Sequence, residues 1–324
     1  MGLNQGLNYS GREAAGRFLP KVGYLLIVCL IALTAAANAA GLRLDADKDK
    51  GEPRSFRLMT DAWQRNFTGD APSRKGMDKL NLSASGQPSL LGFKFIGEKI
   101  RNAHPEVKDI YIVDLRQESH GYANDLPVSL HTKNNQVNYG KAQSTVEKDE
   151  AAWLDSLKGR TLTFVPMGGT DPKLFGKQTA FIKECSVEEQ ASEAAGMKYK
   201  RFATADGRWP TPDTVDRFLE FVNGLPEGAW LHLHCHAGHG RTTSFAVMYD
   251  RLKNPDVDLE TIAKRQYLLN GTDLLAKVEG NGFWAKAARE RTKMLRLFDR
   301  YVEALQRGQT TLTWSEWLKS LEAK

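Results

Sequence analysis

The stretch AWLHLHCHAGHGRTTSF, residues 229–245, carries the strongest structural signal in this chain. Apolar and polar residues alternate from Trp230 up to Cys235, which is typical of a β-strand. Gly238 and Gly240 then allow a tight turn and close approach of a ligand, and a helix is predicted from about Arg241. A strand, a glycine loop and a helix N-terminus in this order predict a nest of backbone N–H groups that binds a tetrahedral anion.

The side chains of this segment predict chemistry on that anion. Arg241 is placed to hold two oxygens of a phosphate through its planar fork. The same positive field favours the thiolate of Cys235, a nucleophile directed at phosphorus. The Thr242 hydroxyl is expected to hydrogen-bond that thiolate, and His234 to orient the loop from behind. We expect substrate contacts from His234 and from the residues between the cysteine and the arginine: His236, Ala237, Gly238, His239 and Gly240.

A thiolate nucleophile needs a proton donor for the leaving alcohol. Asp206, in the segment ATADGRWPTP, is the best candidate, because it follows a predicted strand and lies beside Gly207. Trp209, Pro210 and Pro212 stiffen this loop, which is expected to bring the carboxylic acid over the site. By itself, an Asp-Gly pair more often marks an ordinary turn, so the assignment depends on the cysteine motif.

The flanking segments predict an α/β fold with a largely parallel sheet. Strands are predicted in DIYIVDLRQES, TLTFVPM and KYKRFATAD, and residues 40–75 are expected to be irregular surface chain. Helices are predicted in TPDTVDRFLEFVNGLP, ending at Gly224, from about Arg241 and over 283–305. A further helix is predicted to open with a capping box of Ser186 and Glu189, and Trp314 and Trp317 of the tail to pack on the body.

The N-terminal segment predicts export. In this chain of 324 residues, basic residues precede the apolar run VGYLLIVCLIALTAAANA, which ends in small residues. We interpret residues 1–39 as a secretory signal peptide and residues 40–324 as the mature domain, which is then periplasmic or secreted and not stably attached to a membrane. The alternative is a retained N-terminal anchor. Of the cysteines that remain, Cys185 is expected to be half-buried and not bridged to Cys235.

Composition excludes one class of partner. The formal net charge of +6 suits an anionic substrate, but the chain has no clustered Lys/Arg runs of the kind that bind nucleic acid.

With these residues in hand, the chain resembles the bacterial protein-tyrosine-phosphatase-like inositol polyphosphatases, the cysteine phytase family. The resemblance runs from about residue 55 to the C-terminus and is carried by HCHAGHGRTT, the D-x-x-WPTP loop, VDLRQESHG, EAAGMKY, LKNP and WSEWLKS. It implies a phosphatase core sheet flanked by helices, with a small partial β-barrel attached, expected within residues 110–170. It also implies stepwise hydrolysis of myo-inositol polyphosphates through a phosphocysteine, without metal or cofactor, with Cys235 as nucleophile, Arg241 as phosphate ligand and Asp206 as general acid.

The chain departs from the family in the residues that contact substrate. Gly207 follows the acid where the family usually has histidine, and His236 and His239 stand where an acidic and a small apolar residue are expected. The segment GGTDPKLFG offers only Lys173 for distal phosphates, and Lys277 and Lys286 are the cations available within residues 271–290. His239 is expected to replace part of the lost positive charge.

Three other functions stay open on the sequence. The same chemistry would serve a protein-tyrosine, dual-specificity or phosphoinositide phosphatase. A phosphate-binding module without turnover is disfavoured by the joint presence of Cys235, Arg241 and Asp206. Sulfur transfer of the rhodanese type is disfavoured by Thr242 and the separate acid loop. For a phosphatase we expect the highest rate at mildly acidic pH, with Asp206 protonated and Cys235 ionised.

Overall fold

The strand that precedes Cys235 lies in the middle of a five-stranded sheet in the computed structural model of this protein, which describes residues 41–168 and 171–322. In spatial order this core sheet contains β10 (Lys198–Thr204), β4 (Ile110–Arg116), β11 (Trp230–His234), β3 (Leu82–Ser85) and β2 (Arg57–Leu58). The first four strands are parallel, whereas β2 is antiparallel to β3. Because parallel strands end at one edge of a sheet, β10, β4 and β11 bring the segments that follow them together.

A second, mostly antiparallel sheet has six strands. Their spatial order is β8 (Gln178–Phe181), β7 (Thr161–Pro166), β1 (Gly41–Leu44), β6 (Leu126–His131), β5 (His120–Ala123) and β9 (Cys185–Ser186). This sheet corresponds to the small partial barrel expected from the resemblance. Its strands come from residues 41–186, a wider range than the expected 110–170. The predicted α/β class with an attached half-barrel sheet is confirmed.

Nine α-helices occur among the residues that the structure describes. They are α1 (Leu90–Ala103), α2 (Gln143–Leu157), α3 (Asp171–Leu174), α4 (Glu188–Ala194), α5 (Pro212–Asn223), α6 (Gly240–Lys253), α7 (Leu259–Leu268), α8 (Phe283–Gln306) and α9 (Trp314–Glu322). The largest apolar core lies between α5, α6, α8 and one face of the core sheet, and its buried aromatic centre includes Phe202, Phe218 and Phe245. The core therefore fixes α6 directly behind the cysteine loop.

Most predicted elements are confirmed. The strands at 110, 161, 198 and 230 are present, and α5 begins at the Thr211 cap with Pro212 in its first turn. Trp314 is fully buried, and Trp317 is 8% exposed against Tyr301, as the tail pattern indicated.

Two local predictions are wrong. Residues 40–75 are not all irregular surface chain, because β1 is an inner strand of the second sheet with buried Arg43 and Leu44. The capping box of Ser186 and Glu189 does not form. Helix α4 is capped one residue later, where the N–H of Val187 donates to Oε1 of Gln190 at 3.3 Å.

The predicted signal peptide lies outside the described residues, so it stays a prediction. Within the described ranges, none of the helices has both the length and the apolar character needed to cross a bilayer. Cys185 and Cys235 are both free thiols, and Cys185 is half-buried, which agrees with the prediction that they are not bridged.

Candidate active site

The cysteine loop, defined here as residues 235–240, turns sharply between β11 and α6. Gly238 has a φ of 78°, and a Cβ at this position would lie 2.6 Å from the backbone nitrogen of Gly86. Only glycine fits such a conformation with a neighbouring backbone so close. Cys235 is 3% exposed, so the residue is almost fully enclosed by the surrounding protein.

Arg241 lies fully inside the site at the start of α6. Its Nη1 donates to Oε2 of Glu118 at 2.6 Å and to the carbonyl of Thr204 at 3.0 Å, and its Nη2 donates to Oε1 of Glu118 at 2.9 Å. Nη2 is also 3.4 Å from Oδ1 of Asp206. The structure thus brings the predicted arginine and the predicted acid together beside the cysteine loop.

Glu118 lies within the segment VDLRQESHG, but the sequence pattern gave it no role. Its carboxylate is fully buried and accepts from Nε of Arg116 at 2.9 Å as well as from Arg241. Burial acts to raise the pKa of Glu118, but Arg241 and Arg116 outweigh it and hold that pKa well below its usual range. Glu118 is therefore an anion that fixes the orientation of the phosphate-binding guanidinium.

Asp206 lies on the acid loop, defined here as residues 205–211 between β10 and α5. Its side chain is 26% exposed, the most accessible of the predicted catalytic groups. Nδ2 of Asn135 donates to its Oδ2 at 2.9 Å, and Nε2 of Gln136 donates to its backbone carbonyl at 3.0 Å. Both contacts come from the turn after β6, which the sequence did not single out.

Two arginines near the sulfur were also missed. Arg57 on β2 is fully buried, and its Nε and Nη2 have no hydrogen-bond partner within the described residues. Burial lowers the pKa of Arg57 to about 10, and the negative charge of Cys235 opposes that decrease. Arg291 on α8 donates from Nη1 to the carbonyl of Gly207 at 2.9 Å. Burial lowers its pKa, against the charges of Asp206 and Cys235.

His234 and His236 each contact buried charged side chains. Nε2 of His234 lies 2.5 Å from Oε1 of Glu188, behind the loop, which matches the orienting role and not the substrate contact. The His236 ring lies against Arg43 (3.1 Å to Nδ1) and against Asp171 (3.3 Å to Nε2). Both histidines are buried and make supporting contacts in this structure, and their predicted substrate contacts stay predictions.

His239 does not supply the positive charge expected of it. Burial and the nearby guanidinium groups of Arg57 and Arg65 lower the pKa of His239 to about 4. The imidazole is therefore neutral near neutral pH. The sequence pattern showed the histidine but not the buried cations around it.

The remaining predicted residues divide into loop and surface positions. Ala237, Gly238 and Gly240 form the wall of the cysteine loop. Thr242 is buried, and its hydroxyl makes no hydrogen bond within the described ranges, so the predicted bond to the sulfur is not formed in this structure. Lys173 is exposed on α3.

Lys277 also lies at the surface. Its side chain is 89% exposed, and its Nζ lies 3.5 Å from Oε1 of Glu279. The cation that contacts the acid loop is Arg291 on α8.

The side chain of Trp284 lies against Gly207, the position after the acid where histidine is usual in the family. Gly207 has a φ of 77°, and a Cβ there would lie 2.6 Å from the ring of Trp284. Trp284 is 51% exposed at the start of α8, edge-on to Phe283. An exposed aromatic surface thus borders the acid loop.

One buried group has the spacing of metal ligands among the residues that the structure describes. Ligand atoms of Asp114, His120 and Glu188 lie within 4.8 Å of one another. Burial acts to lower the pKa of His120, but Asp114 and Glu150 help to raise it to about 10. Nε2 of His120 lies 3.3 Å from Oδ2 of Asp114 and 3.3 Å from Oε2 of Glu188, so we interpret this group as an ion-pair network.

The parallel sheet, the cysteine loop and its arginine together define the architecture of protein tyrosine phosphatases. Residues 113–253 match the sequence model of the PTP-like phytase family, whose description reads 'Inositol hexakisphosphate'. The chain belongs to this PTP-like phytase family.

Relatives of known sequence include the effector protein hopD2 of Pseudomonas syringae pv. tomato, which is 30% identical over 215 residues, 64% of this chain and 45% of that protein. The uncharacterized protein AvrBs1.1 of Xanthomonas campestris pv. campestris is 39% identical over 92 residues, 27% of this chain and 86% of that protein.

Among solved structures, the tandemly repeated phytase of Mitsuokella multacida superposes with a TM-score of 0.79 at 33% identity, over 86% of this chain and 49% of that one. The PTP-like phytase of Bdellovibrio bacteriovorus gives a TM-score of 0.66 at 29% identity, over 86% of this chain and 94% of that one. The chain thus spans about half the length of hopD2 and of the Mitsuokella enzyme.

Proposed function

We propose that this domain is a phosphomonoesterase that hydrolyses myo-inositol polyphosphates through a phosphocysteine intermediate. The observation that carries the proposal is the set of guanidinium groups around Cys235. The negative charge of the Cys235 thiolate acts to raise the pKa of Arg57, Arg241 and Arg291. Within the described residues, Arg57 and Arg291 have no ion pair. Buried guanidinium groups with unused donors suit several phosphates on one substrate. The Mitsuokella enzyme has been solved with myo-inositol-(1,3,4,5)-tetrakisphosphate, which supports the substrate class.

The first half-reaction transfers the phosphoryl group to sulfur. The Cys235 thiolate attacks phosphorus, an S–P bond forms and the P–O bond to the inositol breaks. Asp206 gives its proton to the leaving alkoxide, so that a neutral hydroxyl departs. Arg241 and the loop N–H groups stabilise the equatorial oxygens as charge shifts onto them.

The second half-reaction returns the enzyme to its starting state. Asp206, now a carboxylate, takes a proton from a water molecule that attacks the phosphocysteine. The S–P bond breaks, phosphate leaves and the thiolate is restored without any external reductant or oxidant. Residues of this chain carry every proton in the cycle, so we expect phosphate release to be unaffected by EDTA.

A substrate panel tests this function. Inositol hexakisphosphate, a phosphotyrosine peptide and a phosphoinositide are compared by phosphate release for the wild type, Cys235→Ser and the matched control Cys185→Ser. We expect release to fall to background only in Cys235→Ser, because the half-buried thiol of Cys185 lies on β9 in the second sheet. Activity that persists in Cys235→Ser would contradict the proposal.

The substrate class is tested by charge. Arg57→Gln is expected to raise KM for inositol hexakisphosphate about 10-fold or more, because one phosphate of the substrate loses its guanidinium partner. An aryl monophosphate has no further phosphates for Arg57 to bind, so its KM should change less. Arg300→Gln, at an exposed position on α8, is the control. Equal effects of Arg57→Gln on both substrates would argue against a polyanionic substrate.

A second substrate class, phosphotyrosine in peptides, is favoured by one feature. The exposed ring of Trp284 borders the acid loop and offers a stacking surface for an aromatic leaving group. If this class is correct, Trp284→Ala lowers kcat/KM for the phosphotyrosine peptide selectively.

We also propose that the protein is exported, on the basis of the basic and apolar pattern of residues 1–39. Mass spectrometry of the protein from periplasmic and culture fractions tests this. A chain that retains residues 1–39 in the membrane fraction would favour the anchor instead.

A further inference from the structure

The turn after β6 holds the acid loop through two consecutive side chains. Nδ2 of Asn135 donates to Oδ2 of Asp206 at 2.9 Å and to Oε1 of Glu118 at 3.0 Å. Nε2 of Gln136 donates to the backbone carbonyl of Asp206 at 3.0 Å, and Nε of Arg208 donates to Oε1 of Gln136 at 3.1 Å. We refer to Asn135 and Gln136 as the clamp.

The backbone of the clamp adopts an unusual conformation. Asn134 and Asn135 have φ values of 57° and 56°, in the left-handed region of the backbone that residues other than glycine adopt infrequently. The N–H of Asn135 is fixed by the carbonyl of Thr132 at 2.8 Å, and the residue is only 4% exposed. Two successive left-handed residues persist only where the surroundings favour them, and here they direct the Asn135 amide at two carboxylates.

The chemistry of an amide determines which atom faces those carboxylates. Ionised Glu118 only accepts hydrogen bonds, so the NH₂ group of Asn135 must face it, and the same nitrogen reaches Asp206. An N–H group cannot accept, so Oδ2 of Asp206 must act as an acceptor when the acid is protonated. The proton is then held on Oδ1, which accepts no hydrogen bond within the described residues and lies 3.4 Å from Nη2 of Arg241, the predicted phosphate ligand.

We propose that Asn135 is a positioning residue that keeps the transferable proton of Asp206 on Oδ1, facing the leaving group. This inference rests on the proposed phosphatase function and deepens it. Through Glu118, the same amide couples the orientation of the acid to that of the phosphate-binding Arg241.

Asn135→Gly isolates the amide. Glycine adopts a φ of 56° freely, so this substitution removes the side chain without straining the turn. Asn134→Gly is the matched control, because Asn134 is the adjacent asparagine with the same backbone conformation, and its side chain makes no hydrogen bond within the described part of the chain.

The readout is the dependence of kcat/KM on the leaving group, because kcat/KM covers the half-reaction in which that group departs. A proton donor matters most for alkoxides that leave poorly, and typically contributes about 10²-fold or more. We expect Asn135→Gly to lower kcat/KM on inositol hexakisphosphate about 10²-fold and kcat/KM on 2,4-dinitrophenyl phosphate by about 3-fold or less. A purely structural role would lower both alike, and Asn134→Gly should leave the ratio of the two rates unchanged.

A double variant tests whether the effect passes through Asp206. In an Asp206→Asn background, Asn135→Gly should cause no further change in that ratio, because the proton it positions is gone. An unchanged ratio in active Asn135→Gly would overturn the inference while leaving the proposed function intact. A wild-type protein that hydrolyses neither ester would instead refute the proposed function.

Discussion

Replacement of Gly238 by alanine should destabilise the protein by an amount that its surroundings predict. A non-glycine residue with a φ of 78° costs about 1–2 kcal/mol. The new Cβ would also lie 2.6 Å from the nitrogen of Gly86, and backbone cannot move aside as a flexible side chain can. Forcing extra atoms into a packed site typically costs about 1–3 kcal/mol. Together these give a loss of about 2–5 kcal/mol in the free energy of unfolding.

Two other glycines separate the two contributions. Gly140 has a φ of 85°, and a Cβ added there would have nothing within 4 Å, so Gly140→Ala should cost only the backbone strain of about 1–2 kcal/mol. Gly176 has open space and an ordinary φ, so Gly176→Ala should be neutral or stabilise by up to about 1 kcal/mol.

Urea denaturation of the three variants and the wild type measures these differences. Phosphate release should fall most in Gly238→Ala, because the cysteine loop must open to admit the methyl group. If Gly238→Ala and Gly140→Ala lose the same stability, the close approach of Gly86 does not constrain the loop, and the reasoning fails.

Three further substitutions test the surroundings of the site. Glu118→Gln removes the buried carboxylate that accepts from both Nη1 and Nη2 of Arg241 and should cost about 3–5 kcal/mol of unfolding free energy; a loss below about 1 kcal/mol in urea denaturation would refute this. The folded pKa of His239 is about 4 against an ordinary 6.5, so the unfolded chain binds the proton first as pH falls. Wild type should therefore lose stability between pH 6.5 and pH 4 that His239→Gln retains, and parallel stability curves would contradict the shift. Gly207→Ala should destabilise partly through contact with Trp284, so removal of the indole in a double variant should recover part of the loss; strict additivity in thermal melts would exclude that contact.

The sequence predicted the parts of the site that neighbouring residues determine. Cys235, the glycine turn and Arg241 are contiguous, so a strand, a loop and a helix N-terminus suffice to bring them together. Asp206 was predicted from its position after a strand, beside Gly207 and ahead of the cysteine motif, and the parallel pairing of β10, β4 and β11 brings the two loops to one edge of the sheet. In both cases a local pattern and one topological rule were enough.

The parts that were missed depend on distant residues. Glu118 meets Arg241 across 123 positions of sequence, and a lone carboxylate gives no local sign of that partner. Arg57 occupies a two-residue strand, too short for any periodic pattern. The charge of His239 was predicted wrongly because burial and neighbouring arginines set it, and neither is visible in the loop sequence.

The departures from the family pattern are matched by contacts from other elements. The space left open at Gly207 is occupied by Trp284, and His236 fits between Arg43 and Asp171. At these two positions the departure from the family pattern therefore comes with a side chain from another element that packs against it. Because Lys173 and Lys277 face solvent, we expect the proposed binding of a polyanion to depend on the guanidinium groups near Cys235 instead. A buried guanidinium is held in place and poorly hydrated, so it contributes more to selecting a highly charged substrate than a mobile surface lysine does.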